Sequence, residues 1–438
     1  MGYQRHPSEV ALVERSAARS GTVPRIRRTG ACRHPRRGTG NPMRGSRRVP
    51  AAIVAGALAV AGTVAAVVVV RVGGDAVDEK GLAEFYEQPP DAADGAAGTL
   101  VRHEGLVGTP AESKAWRIMY RSTDLRGAPI VVTGIVVTPL GPPPVGGRTV
   151  LAWGHPTTGA APECAPSRGF DPFIGIEGLR LLLDRGYTVV ATDYAGMGTT
   201  GPDSYLVGVT AAHTMLDAVR AARSIPEAEA GTSVVLWGHS QGGQAALFTA
   251  EQAGTHAPEL SVKAVAVAAP AADLPALMRT HLDDISGVTI GSYAFTAYAG
   301  VYGGTTPGAR LEDILTPTAL GVAPTMNGLC LLTGIDELHR IGRPLVGDFT
   351  RADPTTTQPW KGLLEQNSAG GAAFAAPLFV AQGENDELVV PTDTDGFVAH
   401  ERGIGVDVTY EKVPDATHAT IAYLALPRLM EWLDRIGH

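Results

Sequence analysis

The chain has 438 residues, enough for one large α/β domain with an insertion or for two domains. Its net charge of −8 is uneven: residues 1–48 hold 12 Arg, no Lys and 2 Glu, which leaves 24 basic and 42 acidic side chains in the other 390 residues. An acidic body argues against nucleic acid as its partner.

The basic segment, residues 1–48, carries no fold signal and reads as a cytoplasmic tail or as a mis-assigned start, Met43 opening a more conventional leader. It ends at "MRGSRRVPAAIVAGALAVAGTVAAVVVVRVGG", where Val49 to Val70 gives 22 residues without a charge between Arg48 and Arg71. That length spans a bilayer, and the positive flank holds the N-terminal side in the cytoplasm. Residues 49–71 are therefore expected to be a signal-anchor or, alternatively, a cleaved signal peptide, which puts the body outside the cell or at its surface. Residues 72–97 read as an acidic linker, and 98–438 as the folded domain. Cys32 falls outside the exported part. Cys164 and Cys330 fall inside it, where an even pair is expected to bridge, two buried free thiols being the alternative.

Two apolar runs, "WRIMYRSTD" (116–124) and "PIVVTGIVVTP" (129–139), predict a hairpin. Strands then alternate with helices: a strand at 148–155, a helix near 174–185, a strand at 187–196 and a helix near 208–224. After the strand ending in "VVLWGHS", further strands are predicted at 262–270, 376–383 and 406–414, and "IAYLALPRLMEWLDRI" closes the chain as a helix. This rhythm predicts a mostly parallel sheet with helices on both faces and an active site at the carboxyl ends of the strands. About 105 residues, 271–375, interrupt it; a structureless loop of that length is unexpected, so they read as a cap inserted over the site.

The chemistry concentrates in "VVLWGHSQGGQAALF" (234–248). A β-branched strand precedes Ser240 and a good helix former follows it, so Gly238-His239-Ser240-Gln241-Gly242 reads as a G-x-S-x-G nucleophile elbow. A side chain at 238 or 242 would collide where strand and helix backbones nearly touch. A serine nucleophile needs a base. His239 is adjacent in sequence, but neighbouring side chains on such a turn diverge, so it is expected to position the turn. The chain order Ser, acid, His selects Asp386 in "FVAQGENDELVVP" and His418 in "VPDATHATIAYL", with Glu384 and Asp415 as competitors for the acid. An oxyanion hole is expected from the backbone N–H groups of Gln241 and Thr157, since Pro156 has none. "DTDG" (393–396) lacks the later ligands of a calcium loop and reads as a helix N-cap; no metal is expected.

With these residues placed, "GHPTTG" followed by Cys164, "TDYAGMG", "GHSQGGQAAL", "GENDELV" and "DATHA" resemble the secretory lipase family, the lipase A type of α/β hydrolase, over roughly 98–438. The resemblance implies an α/β-hydrolase fold with a lid between Pro270 and Pro377, a bridge from Cys164 to Cys330, ester or acylglycerol substrates and no cofactor. The expectation is a serine carboxylic-ester hydrolase working as a monomer. The alternatives are an acyltransferase sharing its acyl-enzyme, a serine peptidase and a non-catalytic envelope binding module.

Overall fold

The computed structural model describes residues 81–438. The basic tail, Cys32, the apolar segment 49–71 and residues 72–80 of the acidic linker lie outside the described residues. Among the described residues, no helix is long and apolar enough to cross a membrane.

After a helical segment at 81–86 come three antiparallel strands, β1 (Leu100–Gly105), β2 (Ser113–Thr123) and β3 (Pro129–Pro139). The β2–β3 hairpin matches the apolar pattern. β1, "LVRHEG", pairs only with β2 at the sheet edge, and its half-exposed residues give it no apolar run to recognise. β4 (Arg148–Gly154), α1 (Leu179–Asp184), β5 (Thr188–Thr192), α2 (Gly208–Arg223), β6 (Ala230–His239), α3 (Gln241–His256) and β7 (Ser261–Ala268) then alternate. After a long insertion come β8 (Leu378–Gly383), α10 (Pro391–Gly403), β9 (Val408–Val413) and α11 (Ile421–Arg435). α1 is shorter than the helix expected near 174–185, because Gly178 at its N-cap sits at φ +87°, a left-handed conformation that ends the preceding turns.

The nine strands run β1-β2-β3-β5-β4-β6-β7-β8-β9, parallel from β5 onward in that order. β4 lies between β5 and β6, so the chain leaves it first to one side and later returns on the other. The two crossovers depart in opposite directions and open a crevice at the carboxyl ends of β4 and β6. The parallel strands are apolar on both faces, as a sheet covered on both sides requires. One core holds Trp153, Trp237, Phe379 and Trp432; the other, on the opposite face, holds Val150, Leu236, Val265 and the inner sides of α2 and α3.

The insertion between β7 and β8 is helical: α4 (Leu274–His281), α5 (Ile285–Tyr302), α6 (Leu311–Ile314), α7 (Pro317–Asn327), α8 (Leu331–Gly342) and α9 (Trp360–Gln366). α5 is buried nearly throughout, with Tyr293, Phe295 and Tyr298 almost fully enclosed. "DTDG" is not an N-cap: α10 starts at Pro391, whose fixed φ suits the first helical position, so Asp393 falls within the first turn.

Candidate active site

Ser240 occupies the turn between β6 and α3 at φ 57° and ψ −117°, a conformation that costs an L-residue on the order of 1–3 kcal/mol. Its backbone is held on both sides: its N–H donates to the Ala268 carbonyl, and its carbonyl accepts from Gln244 and Ala271. The sharpness of the turn depends on glycine. Gly154 and Gly238 are paired across β4 and β6, and a Cβ on Gly242 would lie 1.9 Å from the Gly154 oxygen; one on Gly238 would lie 2.0 Å from the Gly242 oxygen.

His418, in the loop between β9 and α11, brings Nε2 to 2.9 Å from the Ser240 hydroxyl. Its Nδ1 lies 2.8 Å from Asp386 Oδ2. Asp386 follows β8 and is buried, with Oδ1 accepting from the backbone N–H groups of Leu388 and Val389 and Oδ2 accepting a bond from Gln382 Nε2. The acceptor set fixes the tautomer: Nδ1–H donates to Asp386, leaving Nε2 to take the hydroxyl proton. Glu384 and Asp415 point to solvent and do not meet His418. A hydroxyl aimed at an imidazole nitrogen, with a carboxylate behind the ring, can become a nucleophile at neutral pH.

His239 is turned away from the Ser240 hydroxyl. Its Nε2 donates to the His418 carbonyl at 3.0 Å, and its Nδ1 meets Glu177 Oε1 at 3.1 Å. Glu177 is fixed twice, because its carbonyl accepts from the Trp237 indole N–H. Trp237 and His239 are two apart on β6 and share a face, so one loop residue reaches both. Neither Glu177 nor His281 was singled out in the sequence. His281, on α4, donates from Nε2 to the Leu388 carbonyl and pairs through Nδ1 with Asp284. Burial works against its charge, but the Asp284 carboxylate and that carbonyl outweigh it and raise its pKa. No local signal marks either residue, since each acts on a partner about 60 to 100 positions away.

Beyond β4, His155 is buried against the Tyr194 ring and donates from Nδ1 to the Pro156 carbonyl. Burial pushes its pKa down to about 4, so it is neutral at ordinary pH. Thr157 and Gln241 both line the cavity over Ser240. Gln241 is the first residue of α3, and its N–H has no partner in the helix ladder, so with the helix dipole it favours negative charge there. The cavity measures about 110 Å³ and is lined on the insertion side by Leu277, Thr289, Ile290, Tyr293 and Leu331. Cys164, ten residues past the end of β4, is bonded to Cys330 at the start of α8, and the Leu331 N–H donates to the Thr158 carbonyl. Among the described residues, no cluster of three or more His, Cys, Asp or Glu is placed to hold a metal ion.

Residues 174–436 match the family described as secretory lipase. A protein of Mycobacterium tuberculosis described as a "probable inactive lipase" is 24% identical, over 81% of each chain. Lipase 5 of Candida albicans is 24% identical, over 80% of this chain and 79% of its own. Among solved structures, Candida antarctica lipase A in its closed state superposes with a TM-score of 0.66 at 18% identity, over 80% of this chain and 85% of its own.

Proposed function

The chain belongs to the secretory lipase family and is a carboxylic-ester hydrolase, and from that premise we propose that it works through an acyl-enzyme on Ser240. His418 Nε2 removes the Ser240 proton as the oxygen attacks the ester carbonyl, and Asp386 stabilises the imidazolium that results. The oxyanion is met by the backbone N–H groups of Gln241 and Thr157. The tetrahedral intermediate collapses, the C–O bond to the alcohol breaks, and His418 returns its proton to the departing alkoxide. Water, deprotonated by the same nitrogen, then attacks the acyl-enzyme and releases the carboxylic acid, restoring the Ser240 hydroxyl.

The observation that carries this reading is the unbroken line Ser240 Oγ, His418 Nε2, His418 Nδ1, Asp386 Oδ2, with gaps of 2.9 and 2.8 Å. Both lie within the reach required of a general base. The insertion serves as a cap, since its helices line the cavity over Ser240. A family named for secretion supports export, with residues 49–71 as the targeting or anchoring segment.

A fluorophosphonate is expected to label Ser240, and Ser240→Ala to lose both the label and ester hydrolysis. Because one relative is described as inactive, the decisive pair is wild type against Ser240→Ala. A wild-type protein that neither labels nor hydrolyses, or a mutant that still does both, contradicts the assignment.

A further inference from the structure

The cavity that holds Ser240 and His418 also sets a size limit. An apolar protein cavity of about 150 Å³ accommodates a six-carbon ring, and this one is about 110 Å³. Two buried tyrosines, Tyr205 and Tyr293, line it, packed edge to face at 5.5 Å. Neither ring is free to swing. The Tyr205 hydroxyl is bonded to the Thr157 hydroxyl at 2.8 Å, and the Tyr293 hydroxyl donates to the Leu329 carbonyl at 2.6 Å.

The side wall is equally fixed. Leu331 is tied through its N–H to the Thr158 carbonyl, 2.8 Å away, and its neighbour Cys330 is covalently joined to Cys164. Withdrawing this corner of the cap would take the loop that carries Thr157 with it. A long acyl chain that extends past the tyrosines or that corner has to break those bonds, whereas a short one fills the space as it stands.

We infer that, within the ester-hydrolase reading on which this rests, the substrates are esters of short carboxylic acids, of about two to six carbons. The alcohol part projects through the open side of the cavity, where the walls impose no comparable limit. The acyl side is where chain length is read, since each methylene that fits an apolar pocket changes the specificity constant by about 10-fold or more, and one that does not fit gains nothing.

The test is a series of nitrophenyl esters (acetyl, butyryl, octanoyl and lauroyl) at monomeric concentrations with the full chain. The wild type is expected to favour acetyl or butyryl over lauroyl by about 10-fold or more in kcat/KM. Tyr293→Ala removes a lining ring and is expected to shift the optimum toward octanoyl. Should that variant fail to fold, Ile290→Phe, at a half-buried lining position, narrows the cavity instead and is expected to lower butyryl relative to acetyl. A wild-type optimum at octanoyl or longer, or variants with the wild-type profile, overturns the proposal while leaving the Ser240 assignment intact. Hydrolysis of no ester at all overturns the underlying reading and this proposal with it.

Discussion

His239 and His418 sit 5.0 Å apart ring to ring, yet they stand in different relations to Ser240. His418 faces the hydroxyl; His239 faces the His418 carbonyl and Glu177. His418→Ala is therefore expected to approach the loss caused by removing the nucleophile, on the order of 10⁶ in kcat, since the residues of such a relay act as a unit. His239→Ala is expected to leave measurable turnover and to act chiefly on stability and on the placement of the His418 loop. Steady-state rates on one soluble ester, with melting temperatures, check the pair, and a reversed order contradicts it. Gly242→Ala is a sharper case, because its Cβ would sit 1.9 Å from a backbone oxygen that cannot yield. A loss above about 3 kcal/mol, or failure to fold, is expected, measured by denaturant unfolding. Ser240, Asp386 and His418 were legible in the sequence because each follows a strand, and the turn chemistry around Ser240 is written into adjacent glycines. Glu177 and His281 were not, since His239 and the Leu388 carbonyl are brought to them only by the finished packing.

At the scale of elements, the corner where β4, the Cys164 loop and α8 meet ties the insertion to the sheet. The Cys164–Cys330 bond closes a loop of 166 residues. In the loop-entropy account such a closure stabilises by roughly 3–5 kcal/mol. Replacing both cysteines with serine is expected to lower stability by that order and to slow hydrolysis, because Thr158 and Leu331 would be held by one hydrogen bond alone. Denaturant melts with kcat on the double variant test this; unchanged values for both would mean that packing of the insertion suffices. The sheet strands were readable from their apolar runs. Within the insertion, α5 was not readable as a helix, because it is apolar nearly all round and lacks the one-sided period that marks a surface helix. β1 escaped for the opposite reason: a half-exposed edge strand has too little apolar pattern.

Over the whole molecule, two buried groups near the site titrate in one acidic window with opposite sign. Burial pushes His155 down to about 4, from 6.5 when unfolded. Between those values the unfolded chain holds the extra proton, so stability rises with pH. Burial also pushes Asp203 up to about 6, against 3.8 unfolded, and its bonds from the Tyr205 N–H and from Asn327 only partly offset this. There the folded chain holds the extra proton, so stability falls as pH rises. The two slopes offset in the wild type between about pH 4 and 6. Asp203→Asn removes the falling slope, so its melting temperature is expected to gain more than the wild type's between pH 4.5 and 6. Parallel curves would show that Asp203 is ionised without penalty.

If catalysis passes through an ester bond to Ser240, that bond can be trapped. Acid-quenching the full chain during turnover of a butyryl ester, followed by peptide mapping, tests it directly. One butyryl group is expected, carried on the peptide containing Ser240 and absent from Ser240→Ala. Turnover with no covalent species, or with the acyl group on another residue, would contradict it.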